Sequence, residues 1–246
     1  LAPFEIANRL SYFLWSSLPD NELFLTAKEK KTESRAILKQ QVERLLEDPR
    51  SKSFVRGFAD SWLRLDKLGT MPPASLKFRE FYRYGLKEAM LEETPRFLAH
   101  AIEENIPLTD FIDSEYGFLN QDLARHYGIQ GIEGIHFRKV SFPDDSVRGG
   151  LLGQASILTL TANGVDTSPV IRGIWVLESL LGTPPSPPPP DVESIDPDVR
   201  GAQTVKDLLE KHRSVQACAD CHAKIDPYGF PLEYFDPVGG YRPTYY

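Results

Sequence analysis

Both cysteines of this 246-residue chain lie in one short motif, Cys218-Ala219-Asp220-Cys221-His222. This C-x-x-C-H pattern is typical of covalent haem attachment. Positions i, i+3 and i+4 of a helical turn share a face, so both sulfurs can reach the two haem vinyl groups while the imidazole of His222 binds the iron. The motif therefore predicts one covalent haem c, held by Cys218 and Cys221, with His222 as the proximal iron ligand.

Three other chemistries also use a close pair of cysteines. A dithiol redox pair normally follows a strand at the start of a helix, whereas the residues before Cys218 have a helix-and-coil pattern. A zinc site could combine Cys218 and Cys221 with His212 and His222, although the adjacent Cys221 and His222 suit one tetrahedral ion poorly. A disulfide closing so short a loop would stabilise the chain little. Haem attachment is the favoured interpretation, and these three remain as alternatives.

The motif does not determine the second axial ligand of such an iron. Methionine sulfur and imidazole are the usual ligands, and those of this chain outside the motif are Met71, Met90, His100, His126, His136 and His212. His212 is nearest to the motif, and we expect it either as the distal ligand or as a helix-end residue that interacts with backbone carbonyls. Met90 is expected in the core, and His100 on a solvated face.

Aromatic residues cluster after the motif, between Ile225 and Arg242. Tyr228 and Phe230 are expected to pack against the porphyrin, and Arg242 or Arg213 to pair with a haem propionate. Each has an ordinary alternative, which is core packing for the aromatic side chains and a solvated charge for the arginines. Only their clustering near the motif favours contact with haem.

The segment that carries the motif is too short to enclose a haem by itself. Residues 201–246 number about 46, and chains of that length rarely bury enough surface to fold alone. Pro-rich sequence precedes this segment and suits an extended, stiff polyproline II strap. We therefore expect a helical domain over 1–182, a Pro-rich linker over 183–200, and a haem c attachment segment over 201–246 that packs back on the helical domain.

Apolar residues recur at helical spacing through most of the chain, which indicates a mainly α fold. Ser168 before Pro169 is a helix-cap pattern, and Pro95 lies inside the longest helical pattern, where a kink is expected. The patterns predict helices over 3–16, 34–48, 54–65, 79–105, 119–127, 169–181 and 203–212, and a strand over 136–140.

Composition and charge exclude several classes of protein. The net charge of −7 and the pI near 5.3 provide no general basic field for a phosphate backbone, so nucleic acid is not an expected partner. No run approaches the roughly 20 apolar residues of a membrane-spanning helix. Two cysteines are too few for a disulfide-rich scaffold.

Several longer segments together resemble one family. They are residues 4–20 (FEIANRLSYFLWSSLPD), 148–152 (RGGLL), 167–173 (TSPVIRG), 181–185 (LGTPP), 212–213 (HR), 218–222 (CADCH) and 225–242. The chain resembles the large haem-bearing proteins with tandem domains of unknown function that are abundant in planctomycetes. That resemblance implies an exported c-type haem protein that is part of a longer chain, and it implies no particular reaction.

These observations predict an exported c-type cytochrome with one covalent haem that acts in electron transfer. Two alternatives remain, a peroxidase-like haem enzyme with an open distal site and a structural cell-surface protein stapled by haem. Whether the chain is an enzyme therefore stays open. Haem c is attached outside the cytoplasm, so we expect a periplasmic, cell-surface or secreted location. The expected partner is a redox protein, either another cytochrome or another domain of the same parent chain.

Overall fold

The computed structural model describes residues 1–186 and 216–243, and the fold is mainly α, as the sequence predicts. The helices are α1 (Pro3–Trp15), α2 (Asn21–Lys28), α3 (Arg35–Glu47), α4 (Lys52–Leu63), α5 (Arg79–Arg83), α6 (Leu86–Glu103), α7 (Gln121–Tyr127), α8 (Ala155–Leu160), α9 (Pro169–Trp175) and α10 (Gln216–Gly229). A π turn over Val176–Leu180 extends α9. Most of the predicted linker, the predicted helix over 203–212, His212 and Arg213 lie outside the described residues.

The N-terminal helices pack around the apolar face of α1. Pro3 stands in the first turn of α1, where its missing N–H costs nothing. Trp15 is buried at the end of α1, and its Nε1 donates to the carbonyl of Leu45 on α3 at 2.8 Å. Asp20 caps α2 by accepting from the Leu23 N–H and also binds Arg44 of α3 through both carboxylate oxygens. These contacts join α1, α2 and α3 into one unit.

The prediction of one helix over 79–105 is wrong, because the chain breaks between α5 and α6. Gly85 has φ +62°, a left-handed conformation that ends one helix and precedes the next. Pro95 lies inside α6 without ending it. Phe97 and Leu98, which follow it, are fully buried in the core, and this burial offsets the hydrogen bond that the proline removes.

Two short strands form an antiparallel pair against α6. β1 (Tyr116–Leu119) pairs with β2 (Arg138–Ser141), in a register that places Tyr116 opposite Ser141. The ring of Tyr116 stacks on Phe97 of α6 with 5.8 Å between centroids. The strand predicted over 136–140 is therefore present, shifted by one or two residues, whereas β1 is an addition that the sequence pattern did not indicate.

The motif-bearing helix α10 packs directly against the backbone of α9. A Cβ atom on Gly173 would lie 2.3 Å from the carbonyl oxygen of Ile225, and one on Gly229 would lie 1.7 Å from that of Pro169. Ser168 caps α9 by accepting from the Ile171 N–H, as the sequence predicts. The described part of the C-terminal segment thus packs back on the helical body. The predicted domain boundaries themselves stay a prediction.

None of the described helices has the length and apolar composition that crossing a bilayer requires.

Candidate functional site

All three chemically active residues of the C-x-x-C-H motif lie on α10. Cys218, Cys221 and His222 occupy helical positions i, i+3 and i+4, so the helical turn that haem attachment requires is present in the backbone. Cys221 is a half-buried free cysteine. The sequence expectation about local geometry therefore agrees with the structure at this helix.

A cavity of about 420 Å³ opens beside Cys221. It lies between α10 and the chain that leaves α9, and its lining includes Leu177, Pro184, Cys221 and Tyr228. Its volume falls within the range of about 300–1,000 Å³ that is usual for cofactor and small-molecule sites. Two of the predicted site residues, Cys221 and Tyr228, thus share one cavity, and the start of the predicted Pro-rich linker forms part of its wall. His222, the predicted iron ligand, is not among the residues that line this cavity.

The imidazole of His222 is held by a buried carboxylate one turn along α10. The Nδ1 atom of His222 lies 3.1 Å from Oδ1 of Asp226. The His222 side chain is 12% exposed and that of Asp226 only 1%. Histidines that bind metals usually donate their second ring N–H to a carboxylate or a carbonyl in this way. With Nδ1 bonded to Asp226, Nε2 is the ring nitrogen left for another ligand.

The two remaining predicted cofactor contacts lie in the chain after α10. Phe230 is half-buried at the start of a 3₁₀ turn over Phe230–Tyr234. Arg242 donates to the hydroxyl of Thr167 at 2.6 Å and lies 3.6 Å from the carboxylate of Glu233. These contacts give Arg242 a role in holding the C-terminal loop. Its pairing with a propionate stays a prediction.

A buried arginine on α9 organises that same loop, and sequence reasoning missed it. Arg172 is fully buried and donates to the carbonyls of Leu232, Phe235 and Asp236, at 2.5, 2.9 and 3.2 Å. Its ion pair with Glu233 measures 3.1 Å. Burial lowers the pKa of Arg172 to about 10 and raises the pKa of Glu233. The only sequence signal was the presence of Arg172 in the TSPVIRG segment.

A second buried polar network ties the C-terminal loop to α6 and α7. Tyr127 donates to Glu93 at 2.5 Å and accepts from the Ala155 N–H at 2.7 Å. The guanidinium of Arg148 lies over the Tyr127 ring and donates to the carbonyl of Gly239 at 2.6 Å. Burial raises the pKa of Glu93 to about 7. Sequence reasoning assigned no role to these residues.

The other potential distal ligands lie in varied surroundings. Met90 is buried in the core as predicted, and Met71 and His136 are exposed. His100 accepts from the ammonium of Lys139 at 2.9 Å, and Nε2 of His126 is bonded to the carbonyl of Val238 at 2.7 Å. Within the described residues, none of these five side chains lines the cavity beside Cys221.

The zinc alternative stays a hypothesis. The described residues contain no group of three or more histidine, cysteine or acidic side chains placed to hold a metal ion. The proposed zinc set, however, includes the side chains of Cys218 and His212, which lie outside the described part of the chain.

Comparison with protein families identifies two domains in tandem. The chain belongs to the family PSD4, described as protein of unknown function (DUF1592), which matches residues 1–129. Residues 148–245 match a second family, PSCyt3, also described as protein of unknown function (DUF1588). Both are planctomycete cytochrome-c-like families, which confirms the resemblance at that level. The second match includes α8, α9 and α10.

No curated protein and no solved structure matches the chain.

Proposed function

We propose that this chain is an exported c-type cytochrome that carries one haem and transfers electrons. The haem would be attached through Cys218 and Cys221, with Nε2 of His222 binding the iron. The observation that carries this proposal is the arrangement on α10, where Cys221 borders a cavity and the adjacent His222 is oriented through Nδ1 by buried Asp226. The match to a cytochrome-c-like family over the same residues supports it.

When bound, haem supplies a one-electron couple between ferric and ferrous iron. The protein side chains then bind and orient it. Asp226 keeps the His222 ring in the tautomer that leaves Nε2 for the metal. Tyr228 and Pro184 contribute apolar surface beside Cys221.

The proposed location and partner follow from the chemistry of attachment. Covalent haem is added outside the cytoplasm, so the chain would act in the periplasm, at the cell surface or after secretion. Its partner would be another redox protein, either a separate cytochrome or a further domain of the parent chain. The net charge of −7 favours a partner with a basic docking face.

Haem staining of a denaturing gel tests the attachment. The chain is exported in a host with c-type haem maturation, next to a Cys218→Ala/Cys221→Ala variant. The control is Ser186→Ala, which alters the wall of the same cavity and keeps both sulfurs. We expect a stained band for the wild type and the control, and none for the double alanine variant. An unstained wild-type chain contradicts the proposal, and zinc analysis of that chain would then test the next alternative.

One observation favours a second function, a peroxidase-like haem enzyme. The carboxylate of Asp226 makes the His222 imidazole a stronger electron donor, and electron donation to haem iron promotes O–O bond cleavage. The absorption spectrum separates the two functions. A six-coordinate low-spin spectrum supports electron transfer, whereas a high-spin spectrum that shifts on addition of cyanide or peroxide supports the enzyme.

A further inference from the structure

The carboxylate of Asp226 is buried and lies 3.1 Å from Nδ1 of His222, the predicted iron ligand of the motif. We propose that Asp226 is a positioning residue that acts through His222 to lower the reduction potential of the haem. This inference rests on the proposed function, because it concerns the same site. It goes beyond attachment, since it assigns control of the redox chemistry to a residue outside the C-x-x-C-H motif.

The contact is built into a single helix. Asp226 follows His222 by four positions, so the two side chains lie on one face of α10. Their atoms Nδ1 and Oδ1 are 3.1 Å apart, within hydrogen-bond distance. Because ligand and carboxylate share one helix, their relative position does not depend on the docking of another element.

The turn that carries Asp226 is also fixed from outside. Ile225, the preceding residue, is buried, and its carbonyl oxygen lies against the backbone of α9 at Gly173. Rotation of this turn away from His222 would separate the two helices. Asp226 itself is only 1% exposed, so water screens its interaction with the imidazole weakly.

A carboxylate bonded to Nδ1–H increases the electron density that the imidazole donates through Nε2. Ferric iron carries one more positive charge than ferrous iron and gains more from this donation. Addition of one electron to ferric iron, which yields ferrous iron, becomes less favourable, and the reduction potential falls. Mutation of the hydrogen-bond partner of a metal-bound histidine typically lowers metal affinity by about 10- to 100-fold. A tenfold change in the ferric-over-ferrous preference corresponds to about 59 mV in a one-electron couple.

The test is a potentiometric titration of the haem-loaded protein. Asp226→Asn keeps the shape and an acceptor oxygen but removes the charge, and we expect its potential to rise by about 59 mV or more. Asp226→Glu restores the charge and should recover part of the difference. Glu178→Gln is the charge-matched control, because it removes the same charge from an exposed position outside the motif, on the π turn that extends α9. We expect a much smaller shift for this control.

A second measurement requires no variant to fold with haem. Nitrogen-15 NMR of the purified wild-type chain reports the tautomer of His222, whose signals are assigned by their loss in His222→Gln. We expect the proton on Nδ1, as donation to Asp226 requires.

The outcomes separate the two proposals. An attached haem with the same potential in wild type and Asp226→Asn overturns the role of Asp226 and leaves the cytochrome proposal standing. Equal shifts in Asp226→Asn and Glu178→Gln also overturn it, because bulk charge rather than the contact would then be responsible. A chain that takes up no haem refutes the cytochrome proposal. The tautomer still tests the contact in that case, and a proton on Nε2 overturns it.

Discussion

A single methyl group added at Gly173 tests the docking of α10 on α9. In Gly173→Ala, the new Cβ would lie 2.3 Å from the carbonyl oxygen of Ile225 and 2.9 Å from its Cγ2 atom. Carbon–oxygen contacts are normally about 3.3 Å or longer, so the overlap with the carbonyl is about 1 Å. The atom in the way belongs to the backbone and has no rotamer that avoids the clash. The helices must therefore move apart.

The cost of this movement exceeds the benefit of alanine in a helix. Overpacking typically destabilises by about 1–3 kcal/mol, and a backbone obstacle places this position at the upper end. Alanine contributes about 0.5–1 kcal/mol of helix stability relative to glycine. We therefore expect Gly173→Ala to lower the free energy of unfolding by about 2 kcal/mol.

Gly57 provides the matched control. It lies in α4, and a Cβ there would meet no atom within 4 Å. Gly57→Ala should therefore stabilise the protein by roughly 0.5–1 kcal/mol. Urea unfolding of both variants, followed by circular dichroism at a helical wavelength, gives the two free energies. If Gly173→Ala stabilised the protein as much as Gly57→Ala, the backbone contact between α9 and α10 would be refuted.

Three further substitutions have effects that the structure predicts. Arg172→Met removes the 3.1 Å ion pair to the buried carboxylate of Glu233 and the donor to three backbone carbonyls, and it should cost about 3–5 kcal/mol in urea unfolding. Arg9→Met at an exposed pair should cost less than about 1 kcal/mol; equal costs would contradict the burial of Arg172. Burial raises the pKa of Glu93 from 4.5 to about 7. Between these two pH values the folded state keeps a proton on Glu93 that the unfolded state has released. Stability should therefore fall by about 3 kcal/mol as pH rises through this window, and Glu93→Gln should flatten the dependence; an unchanged pH profile would contradict the assignment. Ser168→Ala removes the cap of α9 and should lower the free energy of unfolding by about 1 kcal/mol, as measured by urea unfolding. Ser168→Asp, which can also cap the helix, should lower it by less.

Features that depend on neighbouring residues were predictable from the sequence. The cap at Ser168 needs only the residues that follow it, and the helical turn of the C-x-x-C-H motif needs only its own spacing. The mainly α fold follows from apolar periodicity, which is also a local property. The break before α6 was missed because a glycine inside a helical pattern is compatible with either a left-handed turn or a continuous helix.

Features that depend on distant residues were not predictable in this way. β1 is four residues long, and its hydrogen-bond partner β2 lies beyond an intervening helix, α7. Arginine is usually exposed, so nothing in the sequence indicated that Arg172 lies in the core. The carbonyls that accept its hydrogen bonds come from the chain after α10. Asp226 is similar, because its spacing from His222 was visible in the sequence but its burial against the rest of the protein was not. Burial is a property of the assembled chain, and one sequence does not display it.

The contact between Gly173 and Ile225 joins positions about fifty residues apart, so it forms only after a long loop has closed. The contact between α1 and α3 at Trp15 and Leu45 spans only 30 residues and requires a shorter loop. We therefore expect α10 to dock on α9 later in folding than α3 docks on α1. A haem attached before docking would be enclosed when α10 packs on α9 at Gly173 and Gly229. One joined afterwards would have to enter beside Pro184. If haem is attached as proposed, the close approach of α9 and α10 decides whether attachment must precede docking.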